Sequence, residues 1–236
     1  MKTLSKIILI FFFISAAFSS YSQRHKKPQN LPRYDFKKFH FGFTLGINSL
    51  NFHINKNNDF LVNDTLLTML AEDQKGFNLG IVSNLRLGRY TDLRFIPTLV
   101  FGERILNYKF NDQSNLSLQD KRIESTLIDF PVSLKYKSAR YNNFRTYIVC
   151  GIKYSLDIAS QSEIDDEGQE IVKLNNHDLM IEGGFGIDFY LQYFKFSPQI
   201  KLSHGIINVL SKDNTLYTET INNLKTTSWM LSFTFE

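Results

Sequence analysis

Residues 39–47 read Phe-His-Phe-Gly-Phe-Thr-Leu-Gly-Ile, apolar at every odd position and small or polar at every even one. A strand points successive side chains to opposite faces, so this segment has one greasy face and one wet face. The first strand is therefore expected over 38–51. The pattern returns in seven further segments, which predict strands over 74–87, 91–108, 122–137, 144–158, 178–192, 194–206 and 225–235. Phe77, Leu79, Ile81, Phe95, Leu99, Ile128, Phe130, Val132, Ile148, Ile152, Ile181, Phe185, Ile200, Leu202, Leu231 and Phe233 fall on the apolar faces.

The connections alternate in length. Short ones are expected at 88–90, 138–143 and 192–193, and long polar ones at 52–73, 109–121, 159–177 and 207–224. Outer-membrane barrels have an even strand count, short periplasmic turns and longer outside loops. A soluble sandwich has no reason to segregate loops this way. The expected fold is all-β: an eight-stranded antiparallel transmembrane β-barrel over 39–236, with both ends in the periplasm.

The start of the chain changes the picture of where such a barrel goes. A basic opening with Lys2 and Lys6, an apolar stretch over 7–18 broken only by Ser15, and small residues at Ser20 and Ser22 form the layout of a secretory signal peptide. Cleavage is expected after Ser22, giving a signal over 1–22 and a basic periplasmic lead-in over 23–38, irregular because of Pro28 and Pro32. No Cys follows the apolar core, which argues against a lipoprotein anchor. No later stretch approaches the roughly 18 uninterrupted apolar residues of a spanning helix. Processing takes the net charge from +4 to +2. That balance, with scattered basic residues, gives no footprint for nucleic acid. The single cysteine, Cys150, excludes an internal disulfide and reads as a small apolar residue.

Inside a bilayer every backbone polar group needs a partner, so the sheet must close on itself. Eight strands leave an interior filled by side chains. Alternation sends Arg86, Arg94, Asp129, Lys135, Lys153, Glu182, Asp188, Lys195 and Lys201 inward. Buried charges need opposite charges, so Asp129, Glu182 and Asp188 are expected to pair with these bases and make the lumen a plug. Tyr34, Tyr90, Tyr108, Tyr136, Tyr141, Tyr147, Tyr154, Tyr190, Tyr193 and Trp229 lie near strand ends and are expected in interfacial girdles. Three prolines, Pro97, Pro131 and Pro198, fall inside strands and each removes a ladder donor. Glu103 lands on the lipid side by strict alternation, which a bulge near Gly102 would correct.

Candidate chemistry is sparse. The histidines His25, His40, His53, His177 and His204 show no metal-binding spacing, and no nucleophile elbow, phosphate loop or paired CxxC is present. No catalytic, cofactor-binding or metal-ligating residue is assigned, and the protein is expected not to be an enzyme. Ser203 and His204 at the outer end of the seventh strand would be the pair for a lipid-modifying enzyme at the rim. Their simpler reading is an interfacial polar pair. Asp165, Asp166 and Glu167 read as a solvated charge run in a long loop rather than a calcium site.

The stretch Asn30-Leu31-Pro32-Arg33-Tyr34-Asp35-Phe36-Lys37-Lys38-Phe39-His40-Phe41-Gly42-Phe43, continued by Gly46-Ile47-Asn48, resembles the start of the PorT family. Leu127-Ile128-Asp129-Phe130-Pro131-Val132 is similar to an element of that family and its wider relatives. The final Ser228-Trp229-Met230-Leu231-Ser232-Phe233-Thr234-Phe235-Glu236 resembles the C-terminal strand signal of outer-membrane assembly, except that Glu236 replaces an aromatic residue. The resemblance implies an accessory or assembly role in type IX protein secretion and linked gliding motility. Its partners would be the outer-membrane bilayer and other type IX components. The alternative readings are a structural or adhesive barrel and the rim enzyme.

Overall fold

The computed structural model describes residues 28–56, 66–112, 115–159, 174–210 and 221–236. The expected signal peptide and the acidic run at 165–167 lie outside the described residues. Among the described residues, nine strands follow a short 3₁₀ turn, Tyr34–Phe36: β1 Phe39–Lys56, β2 Leu66–Arg86, β3 Thr91–Phe95, β4 Thr98–Asp112, β5 Asn115–Lys137, β6 Phe144–Asp157, β7 His177–Tyr190, β8 Lys195–Gly205 and β9 Ile221–Phe235. Each is antiparallel to its neighbours. β1 pairs with β2 on one side and β9 on the other, so the sheet closes into a barrel.

β3 and β4 together form one of eight wall positions, because both pair with β2 and both with β5. The strand expected over 91–108 is thus interrupted at Ile96 and Pro97. Pro97 accepts a hydrogen bond from Ile81 N–H at 3.0 Å but has no N–H to return. Opposite, Ile96 N–H donates to the Pro131 carbonyl at 3.4 Å, and Pro131 likewise returns nothing. The Thr98 hydroxyl donates to the Ile96 carbonyl at 2.7 Å and satisfies it instead. Register continues unchanged across the break, so every side chain keeps its face. Pro198 sits in a gap of the β7–β8 ladder, also without a register shift.

No bulge occurs between β4 and β5 at Gly102. The irregularity lies instead in the β2–β4 ladder, between Asp73 and Phe77. The long loop expected over 109–121 is also corrected: β4 and β5 pair without interruption to Asp112 and Asn115.

Outside, the wall is apolar. Phe41, Ile81 and Leu202 are about two-thirds exposed, and cross-strand ring pairs such as Phe77–Phe101 and Phe43–Phe235 stack at 4.7 and 5.0 Å. Cys150 is exposed on this outer face. Inside, even positions of β1 and β9 carry Thr44, Asn48, Thr226, Ser228, Ser232 and Thr234, all buried. An apolar cluster of Leu50, Val100, Leu127 and Met230 fills the lumen toward the long-loop end.

Candidate functional site: a lumen closed by paired charges

Near the short-turn end, three groups converge on the Glu236 carboxylate, which follows β9. Arg94 Nη2 of β3 lies 2.5 Å from Oε1, and Lys195 of β8 ion-pairs with Oε2. Tyr34 of the lead-in donates its hydroxyl to Oε2 at 2.6 Å. Burial first, then the negative charge of Glu236, holds the Tyr34 phenol far above its ordinary pKa, so it remains a donor. Room for this carboxylate depends on Gly42, where a Cβ would meet the Phe235 carbonyl at 2.1 Å and Glu236 Cγ at 2.9 Å.

The same layer continues across the barrel. Arg94 Nη1 and the Tyr147 hydroxyl both donate to Gln199 Oε1, at 3.1 and 3.0 Å. Lys135 donates to both oxygens of Asp188, at 2.7 and 2.8 Å, and its ammonium stands 3.6 Å above the Tyr147 ring. The Ser197 hydroxyl completes Asp188 at 2.7 Å. Gly186 lets the Tyr147 ring lie flat, since a Cβ there would meet its Cζ and Oη at 2.4 Å. Lys137 pairs with Asp92 at 2.5 Å, and Asn84 donates to the other Asp92 oxygen at 3.1 Å.

Higher in the lumen, Lys153 lies 3.0 Å from Asp129, which also accepts from Ser155 at 2.5 Å. Lys201 pairs with Glu182 at 3.2 Å. Removing two charges from water costs several kcal/mol each unless geometry and hydrogen bonds compensate. The census of buried charge meets that demand. Among the described residues, the lumen bases Arg94, Lys135, Lys137, Lys153, Lys195 and Lys201 each ion-pair with Glu236, Asp188, Asp92, Asp129 or Glu182.

Of the nine charges that alternation sends inward, Arg86 stands apart. It is half-buried at the end of β2, and its Nε donates to the Gly88 carbonyl at 3.1 Å. Asp92, Lys137 and Glu236 belong to the same cluster without having been assigned to it from the sequence, and Tyr34, expected in a girdle, joins it through the Glu236 carboxylate. Tyr147 and Tyr190 are not girdle residues: both are 2 % exposed and point inward. Their parity along β6 and β7 is that of the lumen, whereas Tyr136, Tyr141, Tyr154 and Tyr193 are exposed.

The lead-in is not an irregular tail over its described part. It crosses the short-turn mouth and is tied down. The Tyr34 ring stacks on His40 at 4.1 Å, and His40 Nε2 donates to the Tyr34 carbonyl at 2.8 Å. Asp35 accepts from Arg145 at 3.0 Å and from the Tyr190 hydroxyl at 3.3 Å. Arg140 donates to the Asn30 carbonyl, and its guanidinium lies 3.7 Å over the Tyr190 ring. Asn30 in turn donates to Asn143 Oδ1 and the Tyr190 carbonyl, both at 2.9 Å.

The rim pair does not assemble. Ser203 is buried in the lumen while His204 is exposed on the outer wall, 3.3 Å from the Thr227 hydroxyl. Adjacent strand residues face opposite sides, so these two cannot act as nucleophile and base. His177 is engaged with the Tyr154 hydroxyl at 2.6 Å. Among the described residues no three His, Cys, Asp or Glu side chains gather as a metal site.

A closed antiparallel barrel of eight wall positions, apolar outside and filled with paired charge inside, is the architecture of an outer-membrane β-barrel. The chain belongs to the outer membrane protein beta-barrel domain family, whose model matches residues 21–211. It is accordingly a protein of the Gram-negative outer membrane. Similar solved structures include Neisserial surface protein A, at 12% identity and TM-score 0.44, covering 84% of this chain and 98% of that one. OprG from Pseudomonas aeruginosa is 11% identical with TM-score 0.47, over 84% and 94% of the two chains. Ail, the attachment invasion locus protein of Yersinia pestis, is 11% identical with TM-score 0.35, over 84% and 98%. None of the curated proteins matches the chain in sequence.

Proposed function

We propose that this barrel is of the PorT type and serves type IX protein secretion, with its linked gliding motility, as an accessory or assembly component. The reading is non-enzymatic. It rests on the seat of residues 30–43. The segment that carries the PorT resemblance is the one built across the short-turn mouth, through Asn30, Tyr34 and Asp35. Arg33, Lys37 and Lys38 remain exposed around it. With the signal peptide removed at 22 and the short turns in the periplasm, this ordered basic segment is the surface offered to other secretion components. Cargo does not pass through the barrel, because eight strands enclose only side chains and the inward charges act as a plug.

Deleting the gene and following a type IX cargo tests the role. Cargo trapped in the periplasm, and released again when the wild-type gene is restored, is the expected outcome. Undisturbed release would overturn it.

A structural or adhesive barrel is the second reading, favoured by the long β4–β5 hairpin. About 9–11 tilted residues cross the bilayer core, yet β2 has 21 residues and β5 has 23. The excess lies at the long-loop end. This reading predicts normal cargo release with altered surface binding or envelope integrity after deletion.

A further inference from the structure

A cavity of about 470 Å³ opens at the short-turn mouth, between the lead-in and the turns that follow β2 and β5. Arg86, Arg89, Arg140 and Arg145 line it, and among the described residues Asp35 is the one acid on its wall. We propose that this cavity docks an acidic segment of a periplasmic protein through its aspartate or glutamate carboxylates.

The electrostatics differ in kind from those of the lumen. There each of the bases Arg94, Lys135, Lys137, Lys153, Lys195 and Lys201 ion-pairs with an acid. Here Asp35 is shared, 3.0 Å from Arg145 and 3.9 Å from Arg140. The remaining bonds of these guanidiniums go to neutral acceptors. Arg86 Nε donates to the Gly88 carbonyl, and Arg140 donates to the Asn142 and Asn30 carbonyls and to Asn143 Oδ1. Arg89 is exposed and lies against the Tyr90 ring. Arg145 is only 6% exposed, yet its Nε donates to nothing among the described residues. A buried, unsatisfied guanidinium donor carries a large desolvation cost unless something binds it.

The guanidinium fork matches a carboxylate in two parallel bonds. The volume is that of a site for several side chains rather than one small ion. Phe36, 79% exposed, also lines the cavity and offers an apolar contact beside the charges. The cavity opens over the mouth and not along the apolar wall, so its occupant comes from the aqueous side. None of this depends on the type IX role.

The test uses the full barrel in detergent and a fluorescent hexaglutamate peptide at low salt, with hexaglutamine as the control. Wild-type protein binds hexaglutamate and not hexaglutamine. The Arg86→Gln/Arg89→Gln variant, which keeps the Arg140 and Arg145 contacts to the lead-in, binds about tenfold more weakly for each charge-assisted bond lost. A shift in gel mobility on boiling, equal to that of the wild type, confirms that the variant is folded. Should it fail that check, Arg89→Gln alone, at an exposed site, serves the same purpose. Absence of hexaglutamate binding to wild type, or equal binding by wild type and variant, overturns the proposal. So does binding of inorganic phosphate without binding of the peptide, which would make the cavity a small-anion site.

Discussion

The two halves of the lumen are filled differently behind the same alternating wall, by a layer of paired charge at one end and by an apolar cluster beside the buried Asp157 and Asp178 at the other. At the short-turn end, Arg94, Lys135, Lys137 and Lys195 meet Glu236, Asp188 and Asp92 in a continuous polar layer. At the long-loop end, Leu50, Val100, Leu127 and Met230 pack together. Leu174, before β7, is bridged to Leu210, after β8, close to Leu127, and Val209 N–H bonds to the Leu224 carbonyl at 2.9 Å. The Lys153–Asp129 and Lys201–Glu182 pairs lie between the two. Charged pairs are directional, so they specify where the lead-in sits. Apolar packing is not, so it seals by shape and volume.

The contrast can be broken most sharply at the short-turn end. Asp188→Ala leaves Lys135 buried and unpaired, which is expected to cost about 3–5 kcal/mol in urea unfolding from lipid vesicles. The double variant Lys135→Met/Asp188→Leu should recover most of that loss, because no orphan charge remains. At the other end Leu50→Ala only opens a cavity, worth about 2–5 kcal/mol by the same assay. No charge change at a second position should rescue it.

Smaller effects sharpen the account of the lead-in. Tyr34→Phe removes one donor to the Glu236 carboxylate, a loss of about 1.5–3 kcal/mol. It should appear as faster amide hydrogen exchange over 28–38 while the barrel strands stay protected. Asp35→Asn weakens a pair whose acid is 28% exposed, so about 0.2–1 kcal/mol is expected from the same exchange measurement.

Much of this was legible from alternation alone. Strand positions, short-turn positions and inward parity follow from the period-two pattern, which one buried face enforces. Even residues misassigned by type carried the right parity: Tyr147 and Tyr190 sit one step from outward Ile148 and Phe189. A tyrosine near a strand end suits a girdle, but position on the pleat decides its face. Glu236, one step beyond outward-facing Phe235, lies on the lumen side by the same rule, although the C-terminal resemblance marks it only as a departure from an assembly signal.

Partnership was not legible in the same way. Lys135 and Asp188 are separated by 53 residues, and which acid meets which base depends on the stagger of the closed wall. The tight β4–β5 hairpin was hidden because its residues are polar enough to read as loop. The prolines could not be placed either, since compensation by Thr98 depends on the register between two strands.

The closed lumen itself is most directly tested by conductance. Purified, folded barrel inserted into a planar bilayer should produce no stepwise ionic current across the voltage range at which the bare membrane is stable. Reproducible single-channel steps from wild-type protein would contradict a lumen sealed by paired charge at one end and packed side chains at the other.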